Sequence, residues 1–235
     1  MKDAILRPED FYSTYEKFRE YVLPKIGKTQ IRYFSKNYWI PCKFMQSMSV
    51  LEIGCGTGLF LKYIHQEGIT ELLGIDTDPK ILDFLPDELR SNVEIIDVNE
   101  FLLSLPETDK FDRVVMIDVF EHFSPGEGVS LLNRLKPHLK EGGGIVVRVP
   151  NMASPWSHTY QFGDLTHKAK YTSGSLRQLG LQAGYDCQVF EYRRGNPRKQ
   201  RIENLFHSFI ELLITEPPDF WSANIVAFFQ PDASS

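Results

Sequence analysis

The segment VLEIGCGTG, residues 50–58, constrains this chain more than any other. A short apolar run ends at Gly54, Gly56 and Gly58, and TGLFLKYIHQEG then reads as a helix. Glycines at a strand-to-helix turn permit positive φ and let a ligand approach the main chain. The helix behind them offers unpaired N–H groups and the positive end of its dipole. A nucleotide-like ligand with an anionic part fits such a turn. The dinucleotide fingerprint GxGxxG is not met, because Leu59 stands where its third glycine would be and the spacing is GxGxG.

Downstream, apolar runs alternate with helical patterns. ELLGID, NVEIID, FDRVVMID and GGIVVRVP follow SVLEIG as strand candidates, with DPKILDFLPDELR and VSLLNRLKPHLK as helices between them. That alternation predicts a parallel sheet with helices on both faces, and the near-continuous apolar runs fit strands buried on both sides. After Pro150 it pauses in an aromatic, histidine-bearing loop, 150–172, long enough to expect a functional role. GSLRQLGLQAG, YDCQVFEYR, RIENLFHSFIELLI and SANIVAFFQ then read as helix, strand, helix, strand, the last pair completing the sheet with an antiparallel edge. Ahead of the first strand, Phe11, Tyr15, Phe18 and Val22 recur at helical spacing within 8–24, and 25–48 are aromatic and irregular. Residues 1–48 are therefore expected to form an N-terminal helical cap on a domain spanning 49–235.

Two acids join the glycine turn at predicted strand ends. Asp76 ends the second strand, where a carboxylate can accept both hydroxyls of a ribose, and Asp97 ends the third. Open α/β sheets bind ligands at these carboxyl ends. Either residue could instead cap the helix after it, although Asp78 is the better cap before Pro79.

Together these segments resemble the class I S-adenosylmethionine-dependent methyltransferases. VLEIGCGTG is similar to the family's first motif, with Glu52 at its acidic position, GIDTDP to the second, IIDV to the third, FDRVVMIDVFEH to the fourth and GGIVVRVPN to the strand-five motif. The resemblance implies a Rossmann-like, doubly wound, seven-stranded and mostly parallel α/β sheet with an antiparallel last strand. It implies S-adenosylmethionine as cofactor and S-adenosylhomocysteine as product. Gly54, Cys55 and Gly56 would line the methionine portion through backbone atoms, Gly58 would belong to the same cofactor-binding turn, and Glu52 would orient the methionine amine through water. Asp76 would hold the ribose beside Thr77, Asp97 and Val98 would meet the adenine, and the Ile117–Asp118 backbone would face the methionine end.

Transfer to a hydroxyl needs a nucleophile about 3 Å from the methyl carbon and a base for its proton. Histidine suits that role near neutrality. His122, after the fourth strand, and His158 and His167, in the 150–172 loop, are the candidates, with Asp164 as an orienting neighbour of His167. Each could instead be structural or solvated. Asp118, Glu121 and His122 form a DxxEH group that could hold a divalent cation, but the spacing is short and no metal is expected. The strand-four exit IDVFEH lacks the [DNS]PP[YF] pattern of methyltransferases acting on base amines. The loop layout PN…FGDLTH…YT…SLRQL is similar to that of bacterial methyltransferases of surface-saccharide and secondary-metabolite pathways. Trp156, Tyr160, Phe162 and Tyr171 could stack on a sugar or a flat ring, or simply hold the loop together.

A formal net charge of −5 argues against a nucleic-acid partner. One basic run, Arg193, Arg194, Arg198, Lys199 and Arg201, reads as a solvated loop or as a contact for a phosphate-bearing acceptor. With no membrane-length apolar run, no secretory leader pattern and three widely spaced cysteines, a cytoplasmic location is expected. The expected activity is methyl transfer to a hydroxyl of a small-molecule or saccharide-type acceptor. N-methylation of an amino sugar or related amine is the alternative, and a catalytically silent cofactor-binding regulator is the alternative of another class.

Overall fold

Seven strands form one sheet in the computed structural model of the chain, which describes residues 6–14 and 21–232. Strands β1 (Ser49–Ile53), β2 (Glu71–Asp76), β3 (Val93–Ile95), β4 (Phe111–Ile117) and β5 (Leu139–Pro150) are parallel. With β6 (Tyr185–Glu191) and β7 (Asn224–Pro231) the spatial order is β3-β2-β1-β4-β5-β7-β6. Every residue of β1 is buried, as a central strand covered on both faces requires. The last strand is antiparallel to both neighbours, with Val147 opposite Ala227 and Cys187 opposite Phe229. It is inserted between β5 and β6 rather than placed at the edge. The reason lies in its run Asn224–Phe229, which is buried throughout and needs neighbours on both sides, whereas β6 alternates near its start and tolerates the edge.

Seven α-helices accompany the sheet among the described residues: α1 (Lys28–Phe34), α2 (Leu59–Gln66), α3 (Val98–Ser104), α4 (Pro125–Leu135), α5 (His158–Phe162), α6 (Ser173–Gln182) and α7 (Pro197–Glu211). Local chemistry explains their starts. Ser124 and Glu127 form a capping box ahead of Pro125, and the Asn196 side chain accepts from the Lys199 N–H. The helix expected over 78–90 is instead two 3-10 segments, Pro79–Phe84 and Asp87–Asn92. Pro86 between them removes a donor and holds Leu85 extended, so a continuous helix cannot form. Helix α3 occupies a stretch where no helix was expected.

The N-terminal segment departs in part from the expected amphipathic helix. Pro8–Thr14 is a 3-10 helix, Val22 is exposed outside any helix, and Tyr15 and Phe18 lie outside the described residues. Helix α1 continues through a π-helical turn, Ser35–Trp39. Phe34, Tyr38 and Phe44 share a hydrophobic cluster with Val50, Phe60 and Tyr63, so 28–48 packs into the layer covering one sheet face. Arg113 of β4 fastens it there. Its guanidinium is buried, donates to the carbonyls of Cys42 (2.9 Å) and Lys43 (3.1 Å), and lies over the Phe228 ring.

Candidate active site

The turn after β1 is built from glycines in the left-handed region: Gly54 has φ +70°, Gly56 +52° and Gly58 +77°. At Gly54 a Cβ would lie 2.4 Å from Cγ2 of Val119, so only glycine fits. The Gly54 and Cys55 N–H groups both donate to the Ile75 carbonyl, at 2.8 and 3.1 Å. Asp76 at the end of β2 closes the turn from the other side: Oδ2 accepts from Gly56 N–H at 2.8 Å and Oδ1 from Asp78 N–H at 3.0 Å. The Cys55 side chain is buried against the space opened by Gly74.

A cavity of about 780 Å³ opens on this turn. Glu52, Gly54, Cys55, Leu59, Phe60 and Ile117 form its floor, α1 one wall, and Tyr192 to Pro197 the other. Glu52 is buried, and its Oε2 makes no hydrogen bond. Burial pushes its carboxyl well above the usual range, and the charge of Asp76 adds to this. A buried carboxyl with one unbonded oxygen in the floor of a cavity fits a cationic group such as an ammonium. Arg148 of β5 also lines the cavity. It pairs with both Asp118 oxygens, donates to the hydroxyls of Tyr38 (3.2 Å) and Tyr192 (2.6 Å), and lies over the Tyr192 ring. Asp118 is held at φ +56°, outside ordinary non-glycine geometry, in that pairing. The DxxEH group is therefore not assembled: Asp118 turns to Arg148. Burial raises the Tyr33 phenol in the wall to about 12, so near neutrality it is a hydrogen-bond donor rather than a base.

Asp76, Thr77, Asp97 and Val98 stand outside this cavity, at the ends of β2 and β3. Asp76 is half-buried and Thr77 exposed. The Asp97 side chain caps α3, accepting from Asn99 N–H at 2.7 Å, and Val98 is buried in the first turn of that helix. Asp78 caps the following 3-10 segment as expected, and the Tyr21 hydroxyl donates to its Oδ2 at 2.6 Å, which brings the N-terminal segment across the β2 end.

The three candidate histidines divide. His122 and His167 meet edge to face, with ring centroids 4.7 Å apart, because 150–172 folds back on the β4 exit. The N–H groups of Lys168 and Ala169 both donate to the Glu121 carbonyl (2.9 and 3.0 Å), and Gln161 Nε2 donates to the Ala169 carbonyl at 3.0 Å. His122 Nδ1 lies 2.9 Å from the Thr166 hydroxyl, which donates to Asp164 at 2.5 Å. His167 Nδ1 lies 3.0 Å from the Gln161 carbonyl, an acceptor, so the proton sits on Nδ1 and Nε2 faces the carboxylates of Glu121 and Asp164, each 3.9 Å away. Burial alone would raise Asp164, but hydrogen bonds from the Thr166 hydroxyl and N–H, with the electrostatic pull of His167 and His122, hold it below the usual carboxylate range. Ligand atoms of His122, Asp164 and His167 lie within 4.8 Å of one another, a spacing a divalent cation could bridge. None of these residues lines the 780 Å³ cavity. His158 is exposed and contacts the Phe162 ring at 5.9 Å, apart from the pair.

A glycine turn at the carboxyl end of a central parallel strand, with a buried acid behind it, defines an α/β protein that binds a nucleotide-type cofactor. Residues 18–188 match the methyltransferase domain family model. The chain belongs to that family, among the class I S-adenosylmethionine-dependent methyltransferases, whose cofactor is S-adenosylmethionine. An uncharacterized methyltransferase of Alkaliphilus oremlandii is 33% identical over 97 residues, 41% of this chain and 43% of that protein. A tRNA U34 carboxymethyltransferase of Pseudoalteromonas translucida is 33% identical over 111 residues, 44% of this chain and 32% of that protein. The aligned regions thus span less than half of these relatives. The crystal structure of a SAM-dependent methyltransferase from Archaeoglobus fulgidus superimposes with a TM-score of 0.63 at 24% identity, covering 93% of this chain and 98% of that one, a likeness of fold. No helix among the described residues is long and apolar enough to cross a membrane.

Sequence reasoning missed Arg148, Tyr33, Tyr192 and the α1 side of the cavity. Arg148 had a signal: it is the one charge inside the apolar run IVVRVP, and a charge in a strand covered on both faces must find partners.

Proposed function

We propose that this chain binds S-adenosylmethionine across the β1 turn and transfers its methyl group to a hydroxyl of a small-molecule or saccharide-type acceptor held in the cavity. The observation that carries the reading is Glu52: a buried carboxyl with an unbonded Oε2 in the cavity floor, directly before the glycine turn. Glu52 takes the ammonium of the cofactor, and the main chain of Gly54, Cys55, Gly56 and Gly58 gives its methionine portion close approach. Ile117 and the Asp118 main chain border the same end. Asp76 and Thr77 serve the ribose, and Asp97 and Val98 the adenine. When bound, the cofactor supplies a sulfonium-activated methyl group whose bonding electrons return to sulfur as the new O–CH₃ bond forms. Because no histidine lines the cavity among the described residues, the acceptor's reacting hydroxyl extends beyond it toward the β4 exit, where its proton passes to the His122–His167 unit and Nε2 of His167 faces two carboxylates that stabilise the cation formed. His158, exposed and apart from that unit, is the weakest of the three candidate bases. The site of action is the cytoplasm.

N-methylation of an amine is the second reading. It is favoured by the absence of any histidine from the cavity lining among the described residues, since a neutral amine attacks without a base. Calorimetric titration with S-adenosylmethionine, S-adenosylhomocysteine and NAD tests the cofactor, with micromolar binding of the first two and none of NAD expected. Absence of S-adenosylmethionine binding overturns the proposal. Incubation with methyl-labelled cofactor and a panel of hydroxyl and amine acceptors separates the two readings.

A further inference from the structure

The cavity that receives the cofactor's methionine end is ringed by cations. Lys28 and Arg32 come from α1, Lys36 from the π-helical turn after it, Arg193 and Arg194 from the segment after β6, and Arg148 from β5. Glu52 is the only acidic side chain in the lining among the described residues, and burial favours its neutral form. Arg148 is matched by Asp118 and Arg193 by Glu191. Lys28, Arg32, Lys36 and Arg194 are in no ion pair among the described residues. This concentration stands out in a chain of net charge −5.

The ring is also built. Buried Asn37, in the turn after α1, clamps the Arg193 main chain twice: its Oδ1 accepts from Arg193 N–H at 2.8 Å and its Nδ2 donates to the Arg193 carbonyl at 3.1 Å. Gln200 Nε2 donates to the carbonyls of Arg194 and Gly195, and Lys36 donates to Gln200 Oε1 at 3.1 Å. Arg194 reaches the Tyr160 hydroxyl, at 3.5 Å, on the 150–172 loop. Like charges fixed around one cavity repel unless an anion enters. The cofactor does not supply it, since a sulfonium and an ammonium against one carboxylate leave it net positive.

We propose that the methyl acceptor is itself an anion, whose phosphate or carboxylate group docks between α1 and the Arg193–Arg194 segment. This rests on the methyl-transfer reading above for the cofactor's place, but the cation ring binds oxyanions whether or not that reading holds. Arginine forks suit either group in bidentate fashion.

The test is a calorimetric titration of the free protein and of the protein saturated with S-adenosylhomocysteine, using phenyl phosphate, benzoate and phenol as probes of similar size. One or both anions should bind and phenol should not. The binding should weaken as salt is raised from 50 to 300 mM, as an ionic contact requires. The double variant R193Q/R194Q should lose about tenfold in anion affinity, while S-adenosylhomocysteine affinity stays within about twofold and the melting temperature is unchanged. Phosphate and carboxylate are distinguished by which probe binds more tightly. Phenol binding as well as the anions, no anion binding, or full anion affinity in the double variant overturns the proposal. Anion binding without S-adenosylhomocysteine binding retains the cation ring and overturns the methyl-transfer reading instead.

Discussion

Glu52→Gln isolates the group on which the cofactor assignment depends. The amide keeps the shape of the side chain and removes its capacity for charge. Burial, reinforced by Asp76, keeps the Glu52 carboxyl protonated in the free protein well above the usual carboxylate range. An ammonium placed against it favours the ionised form, so binding is coupled to proton release and affinity rises with pH until the free carboxyl ionises unaided. A hydrogen bond to a charged group contributes about 1.5–3 kcal/mol. At about 1.4 kcal/mol per decade, the variant should bind S-adenosylhomocysteine roughly ten- to 150-fold more weakly. Its stability should move the other way. Because the folded-state pKa is raised, the native protein keeps a proton that the unfolded chain gives up, and stability falls as pH rises from the ordinary carboxylate value through the raised one. Gln removes that cost, so the variant should melt no lower than the parent at neutral pH. Titration in two buffers of different ionisation enthalpy, at several pH values, reads affinity and proton release together. Unchanged affinity with unchanged proton uptake or release in the variant would refute the reasoning, and a lower melting temperature would mean that Glu52 is structural.

Gly54→Ala places a side chain at φ +70° and 2.4 Å from Val119 Cγ2; it should cost about 1–3 kcal/mol from the backbone conformation alone, read by chemical denaturation, and Val119→Ala should restore part of the loss. Asp76→Ala frees the N–H groups of Gly56 and Asp78 and should weaken S-adenosylhomocysteine about tenfold; unchanged calorimetric affinity would sink the ribose assignment. His122→Ala and His167→Ala should each lower turnover on a hydroxyl acceptor by roughly 10²–10⁴ with cofactor affinity nearly intact, and the double variant should be little worse than either, because the rings act as one unit; full turnover in both would favour the amine reading. Arg113→Met leaves the Cys42 and Lys43 carbonyls without their donor and should cost on the order of 3 kcal/mol in denaturant unfolding.

The sheet was legible because its information is local. Each strand is an apolar run bounded by glycine, proline or acid, and the glycine turn announces the connection to α2. Pro86 was equally visible, and it alone argues against one helix over 78–90. Positions that depend on distant chain segments were not legible. His122 and His167 are far apart in sequence and meet only because the Glu121 carbonyl accepts from two N–H groups of the returning loop. Arg193 and Arg194 read as part of a solvated run or as a contact for a phosphate-bearing acceptor, and the distant Asn37 and Gln200 side chains that tie their segment to the cavity gave no local signal. Asp97 was readable as a cap or as a ligand, and both readings ask for the same residue at the same strand end. The carboxylate that caps α3 keeps lone pairs for a second partner.

The place of β7 bears on how the chain reaches this state. Until residues 224–231 are available, β5 presents an open edge along Ile145–Pro150 and β6 has no strand to join, since β7 is the neighbour it pairs with. Arg113 likewise waits for Phe228, whose ring lies beneath its guanidinium. During synthesis the cofactor turn, made early, would precede by more than a hundred residues the strand that seals the sheet. A truncation before residue 224 should therefore yield a protein that retains the cofactor-binding motif in sequence but exposes a β-edge prone to self-association.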